Sequence, residues 1–334
     1  MAAVEELKSA ARADQPVVMV CEVQAILRPY LEARKKMHFL YKVARADSSE
    51  HLAQQFAVVE KVKGRTESAT WLTEEKRMVE KRRVKVAKGG KLVLYHACSG
   101  GFAAAVSVAL EMEGVDVNAT NSDGRTGLFA ASRDGHSDVV ELLLGVEGIN
   151  VNQADEDGTT ALYFASLQGH LDVVKLLLGA EGININQANN SGSTALYMAS
   201  QLGHSDVVKL LLGAEGINVN QAKNTGSTAL FMALQFGHSD VVKLLLASSD
   251  IDVNKPMTNG ATPLIIASYL GHASCVFLLL KNPAINPTLL FQDSTALQLA
   301  QPSARADGWE FLENRINVEG RANVVQLLVD AAQE

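Results

Sequence analysis

An all-α fold, a helical solenoid of stacked helix-turn-helix units behind a short helical N-terminal region, is what this 334-residue sequence predicts. Three observations carry it. A Gly-His pair recurs at Gly135-His136, Gly169-His170, Gly203-His204, Gly237-His238 and Gly271-His272, each step being 34 residues. A Thr-initiated block of six residues precedes each pair, and an aliphatic run such as Val173-Val174-Lys175-Leu176-Leu177-Leu178 follows it. Self-similarity at one period means one supersecondary unit copied along the chain, each copy burying its apolar face only against its neighbours. Function then belongs to a stacked surface.

Residues 1–90 carry no copy of this unit and are rich in Ala, Glu, Lys, Arg, Leu and Val, the composition of helices. Candidate helices run from about Val17 to Ala46, Ser49 to Val62 and Glu67 to Val86, broken at Asp47-Ser48-Ser49 and Gly64-Arg65-Thr66. Pro16 suits a helix start, and Pro29 kinks or splits the first helix. Gly89-Gly90 marks the boundary with the solenoid over 91–334.

Within one unit, DGTTALYFASLQGHLDVVKLLLGAEGININQ over 157–187, each part has a local reason. Thr160 caps a first helix of about two turns with its hydroxyl, Leu162 and Ala165 share a face, and Gly169 supplies the left-handed residue that ends the helix. The second helix starts near Leu171-Asp172, where a carboxylate favours the positive helix end. Its aliphatic residues leave only Lys175 plainly outward, so it is expected to be buried on most sides. Gly182 breaks the helix, Ile183-Asn184-Ile185-Asn186 is read as extended, and Ser191-Gly192 turns the chain into the next Thr194.

The Thr-initiated block reads TGLFAA at Thr126, TALYFA at Thr160, TALYMA at Thr194, TALFMA at Thr228, TPLIIA at Thr262 and TALQLA at Thr295. This resembles the ankyrin repeat, whose unit is a β-turn plus two antiparallel helices with a T-P-L-H-x-A signature. A degenerate first copy, LVLYHA at Leu92 with Gly101 in register, makes seven units over about 91–332. The resemblance implies a protein-binding surface rather than an active site. The family's Pro is kept only at Pro263, and its motif His is replaced by Phe129, Tyr163, Tyr197, Phe231, Ile265 or Gln298, so aromatic packing is expected to substitute for its inter-repeat hydrogen bond. After Ala300-Gln301-Pro302 an insertion near 303–318, containing Trp309 and Phe311, delays the last second-helix pattern until Gly320.

Charge and composition narrow the function. The net charge of −7 hides 18 Lys+Arg against 12 Asp+Glu in residues 1–90, and 12 against 25 in the remainder. An acidic repeat region disfavours phosphate-backbone binding, which needs clustered cations, so nucleic acid is not expected as a partner. Cys21, Cys98 and Cys275 are odd in number and far apart, which suits buried thiols in a reducing compartment. No stretch reaches the roughly 18 apolar residues of a membrane span, and the N-terminus lacks the apolar core of a secretory signal. A cytoplasmic or nuclear location is expected.

The periodic histidines invite a metal reading that geometry refuses. Equivalent positions in stacked helical units lie about 8–10 Å apart, whereas each ligand of one zinc reaches it at about 2.0 Å. A neutral imidazole at the interhelical turn serves instead to satisfy backbone groups. No phosphate loop, zinc-protease motif, nucleophile elbow or kinase set occurs, so no catalytic residue, cofactor or small-molecule substrate is expected. The basic run Glu80 to Lys88 reads as a solvated helix end, a nuclear-import or acidic-partner patch, or a cap on the acidic repeats.

The resemblance places partner choice on the two positions before each Gly-His and on the hairpin tips, which line the concave face. Those pairs are Arg133-Asp134, Leu167-Gln168, Gln201-Leu202, Gln235-Phe236 and Tyr269-Leu270, a progression from charged to apolar. Contiguous exposed apolar residues mark binding sites, and aromatics dominate hot spots. The competing reading is that Leu202 and Phe236 pack on neighbouring units. The acidic tip Asp155-Glu156-Asp157 is either solvated loop charge or a steering element for a basic segment. The expectation is a non-catalytic adaptor or scaffold for a partner protein. The alternative is a targeting or assembly module in which the basic N-terminal helices make the main contact.

Overall fold

The computed structural model describes residues 94–333 apart from 112, 113, 302 and 305–308. The expected helices over 17–46, 49–62 and 67–86, the boundary at Gly89-Gly90, the basic run 80–88 and Cys21 lie outside the described residues. The chain divides into two compact units, residues 1–153 and 154–334. In the first, a helical segment over 94–99 precedes α1 (Ala103–Leu110), α2 (Gly127–Asp134) and α3 (Ser137–Leu144). In the second follow α4 (Ala161–Gln168), α5 (Leu171–Leu178), α6 (Ala195–Leu202), α7 (Ser205–Leu212), α8 (Ala229–Phe236), α9 (Ser239–Leu246), α10 (Pro263–Leu270) and α11 (Ala273–Leu280). The short α12 (Ala296–Ala300), a 3-10 helix (Glu310–Arg315) and α13 (Val318–Ala331) complete it.

Helices of eight residues are marginal alone, so each depends on its caps and neighbours. Thr160, Thr194, Thr228 and Thr262 each accept a hydrogen bond at the side-chain oxygen from the backbone N–H three residues on. At the other end Gly169, Gly203, Gly237 and Gly271 have φ between 75° and 79°, the left-handed conformation that a β-carbon penalises. In the second unit α4, α6, α8, α10 and α12 form one packed row, and α5, α7, α9, α11 and α13 another. That is a two-layer helical repeat.

The second helices differ from expectation. In α5 only Val173, Val174 and Leu177 are buried, Leu176 and Leu178 are half-buried, and Leu171 is 39% exposed. Positions i, i+1 and i+4 make one stripe against the first-helix row, and among the described residues no further layer covers the opposite side. The helix ends at Leu178, with Gly179 as its C-cap, before Gly182 is reached. The segment Ile183–Asn186 forms a turn, not a strand, and the one β-bridge among the described residues joins Phe291 and Ser294.

Asparagines stitch these turns together. Asn186 donates from Nδ2 to the Gly216 carbonyl at 2.7 Å and accepts from the Asn218 N–H at 2.8 Å. Asn254 repeats both bonds, with the Ala284 carbonyl at 2.6 Å and the Asn286 N–H at 2.8 Å. The hairpin tips are tied in the same way, Asn224 N–H donating to the Ser191 carbonyl at 3.0 Å and Thr258 N–H to the Thr225 carbonyl at 2.9 Å.

Candidate partner-binding surface

The Gly-His pair joins neighbouring units. His204 Nε2 lies 2.9 Å from the Leu167 carbonyl, His238 Nε2 3.0 Å from that of Gln201, and His272 Nε2 3.3 Å from that of Gln235. In the first unit His136 bonds the Ser99 carbonyl at 2.9 Å in the same manner. A carbonyl only accepts, so Nε2 carries the proton and the ring is a donor. The backbone group that each ring satisfies therefore belongs to the preceding unit. Glycine is required on the receiving side too, because a β-carbon on Gly203 would lie 2.7 Å from His238 Nδ1. Burial lowers the His272 imidazole, more than its bond to Gln235 raises it. Among the described residues no cluster of His, Cys, Asp and Glu is arranged to hold a metal.

At the replaced motif position Phe129, Tyr163, Tyr197, Phe231 and Ile265 are all buried, as aromatic and aliphatic packing requires. Hydrogen bonding nevertheless survives at the tyrosines. The Tyr197 hydroxyl lies 3.2 Å from Ser227 Oγ in the next unit, both groups buried, and Asn189 Nδ2 reaches the Tyr163 hydroxyl at 3.5 Å. Burial pushes the Tyr197 phenol up, the Ser227 bond opposing it only in part. Gln298 departs from the series: it is exposed and closes a capping box with Thr295.

The pairs before Gly-His fall into three groups. Arg133 and Asp134, in the first unit, bind each other through two hydrogen bonds of 2.8 and 2.7 Å, and Ser99 Oγ adds a third at 2.9 Å. Burial raises the Asp134 carboxyl, but the hydrogen bonds from Arg133 and Ser99 and the Arg133 charge outweigh it and hold the group below the usual carboxylate range. In the second unit the C-terminal turns of α4, α6 and α8 carry an open strip. Leu167, Gln201, Gln235 and Phe236 are half-buried, Gln168 is exposed, and Leu202 is 44% exposed.

Tyr269 and Leu270 form the third group and correct the expected surface, being 1% and 0% exposed. The insertion covers them. Trp309, itself buried, meets Tyr269 edge-on at 4.9 Å and stacks on Phe291 at 4.7 Å between ring centroids. Asn317 N–H donates to the Leu270 carbonyl at 2.8 Å. Arg321, fully buried, donates from Nε to the Tyr269 carbonyl and lies 4.5 Å over the Tyr269 ring.

Among the tips, Asp155 is also corrected. It is buried, and its Oδ1 accepts from the N–H groups of Asp157 at 3.1 Å and Thr159 at 2.8 Å, so it builds the turn rather than steering a ligand. Glu156 and Asp157 remain exposed.

Two residues escaped the sequence reading. Arg315, at the end of the 3-10 helix, sits with Cζ 4.5 Å over the Phe236 ring, and no sequence pattern signalled it. Arg321 had a signal: it stands three residues before Val324, as His204 stands three before Val207, and Gly320 precedes it as Gly203 precedes His204. It takes the histidine's place at the last junction and bonds the carbonyl two residues before Gly271.

A family model described as ankyrin repeats, three copies, matches the chain in overlapping stretches: residues 56–155, 94–189, 130–223, 181–257 and 215–290. The first stretch begins upstream of position 91, and the last ends before the interrupted final unit. No curated protein matches the chain. With the match extending over 56–290, and with Thr-capped first helices, left-handed glycines and a two-row helical repeat in place, the chain belongs to the ankyrin-repeat family.

Proposed function

We propose that this protein is a non-catalytic adaptor that binds a partner protein through the concave side of its repeats, on the strip formed by Leu167, Gln168, Gln201, Leu202, Gln235 and Phe236. Ankyrin repeats are protein-interaction modules, and the family supplies the general class. The observation that carries the finer reading is Leu202: a large aliphatic side chain 44% exposed at a position the packing leaves free. The flanking glutamines offer hydrogen-bonding groups around it, the polar rim of a small interface. Exposed Glu156 and Asp157 add the capacity to steer a basic part of the partner. In this reading the protein works in the cytosol or nucleus, which its cysteine usage supports. Among the described residues no helix is long and apolar enough to cross a membrane.

The test is affinity capture from native lysate with the full chain and with Leu202→Asp plus Phe236→Lys. Loss of the principal captured protein with unchanged helical circular dichroism is the expected result. Capture that persists refutes the strip. Loss of both capture and helicity makes these side chains core.

A further inference from the structure

The insertion does more than close the end of the repeat stack. It buries Tyr269 and Leu270 under Trp309 and then returns Arg315 to the strip, with its guanidinium 4.5 Å over Phe236. The Phe236 ring also lies near His238, the ring planes 5° apart and the centroids 6.1 Å from each other. A guanidinium suits this place, because its weakly hydrated face lies on an aromatic ring while its edge keeps N–H donors for another group. Arg315 is exposed, and among the described residues no carboxylate pairs with it. The positions that hold Arg133 and Asp134 in the first unit hold amides and apolar residues here, and Arg315 brings a positive charge to the strip.

We infer that Arg315 is a specificity residue, and that the segment bound on the strip is an apolar peptide stretch carrying one carboxylate, placed so that an aliphatic side chain meets Leu202 while the carboxylate meets Arg315. This rests on the strip being the binding face. A strongly acidic partner is disfavoured for a physical reason. Glu156, Asp157, Glu181 and Glu215 are exposed on the tips and inter-unit turns, and an acid-rich segment is repelled by them. A single carboxylate over Phe236 gains a charge-assisted, directional contact without that cost. A peptide with no carboxylate leaves the guanidinium beside apolar surface without its complement, and a basic one meets a like charge.

The probe is a phage-displayed random dodecapeptide library, panned on the full chain, on Arg315→Glu, on Arg315→Gln and on Leu202→Asp, with circular dichroism of each. Peptides selected by the unmodified chain are expected to carry one Asp or Glu near Leu, Ile or Val. A synthetic peptide from that pool is expected to bind Arg315→Glu about tenfold or more weaker, Arg315→Gln less affected, and to lose affinity with added salt. Arg315→Glu is expected to select Lys- or Arg-bearing peptides instead. If Arg315→Glu selects the same peptides as the unmodified chain while Leu202→Asp loses them, the carboxylate assignment is overturned and the strip stands. If Leu202→Asp also selects them unchanged, or no peptide depends on either side chain, both fall.

Discussion

Gly203 and His238 belong to different units, yet the backbone of the one makes room for the ring of the other. The glycine's φ of 76° ends one helix, and its missing β-carbon makes room for the ring that donates to the Gln201 carbonyl. The period of the pair was legible in the sequence because both demands fall on the same residue. The direction of the bond was not, since spacing alone does not say whether a ring turns to its own unit or to the one before. His272 makes the energetic consequence testable. Its folded pKa lies below the ordinary value of about 6.5, so its stabilising contribution is complete above that pH and is lost as pH falls through the lowered value. His272→Gln keeps a donor for the Gln235 carbonyl and does not titrate. Its urea midpoint is expected to fall less than that of the unmodified chain between about pH 7.5 and 5.5. At the neighbouring motif position, Tyr197→Phe removes the hydroxyl from buried Ser227 and is expected to cost about 1 kcal/mol in urea titrations.

Among the elements, the two helix classes were read with unequal success. First helices announce themselves by Thr caps and glycine stops, both local, and their eight-residue length follows. The second helices looked more buried than they are, because a run such as Leu210-Leu211-Leu212 contains more leucine than the stripe uses: only Leu211 reaches full burial. The insertion was the least legible element. Its Trp309 stood out by type, but that it seals Tyr269 and Leu270, and so ends the exposed strip at Phe236, depends on a chain path with no repeat to guide it. Trp309→Ala is expected to destabilise this end by about 3 kcal/mol or more, read as a lowered urea midpoint, since it removes a buried aromatic held between two others.

For the whole molecule, nearest-neighbour coupling sets how far such damage travels. Burial pushes the Cys98 thiol up to about 12 and the Cys275 thiol to about 11, so neither presents appreciable thiolate near neutral pH while folded. They report on opposite units of the chain. Trp309→Ala is expected to raise iodoacetamide labelling of Cys275 by about tenfold or more and to leave Cys98 unchanged, as mass spectrometry of digested protein would show. Equal acceleration at both sites would mean that the repeats open as one block.

Every junction from Leu167 to Tyr269 ends in the same socket, a carbonyl two residues before a left-handed glycine, and the plug is an imidazole until the last, where it is Arg321. Identical plugs and sockets are interchangeable, so a 34-residue copy inserted between two histidine junctions finds its partners on both sides. The terminal junction lacks that freedom, because Gly320 packs so closely on the Gly271 carbonyl that no side chain fits between them. An array built this way lengthens by duplication from its middle and keeps its end.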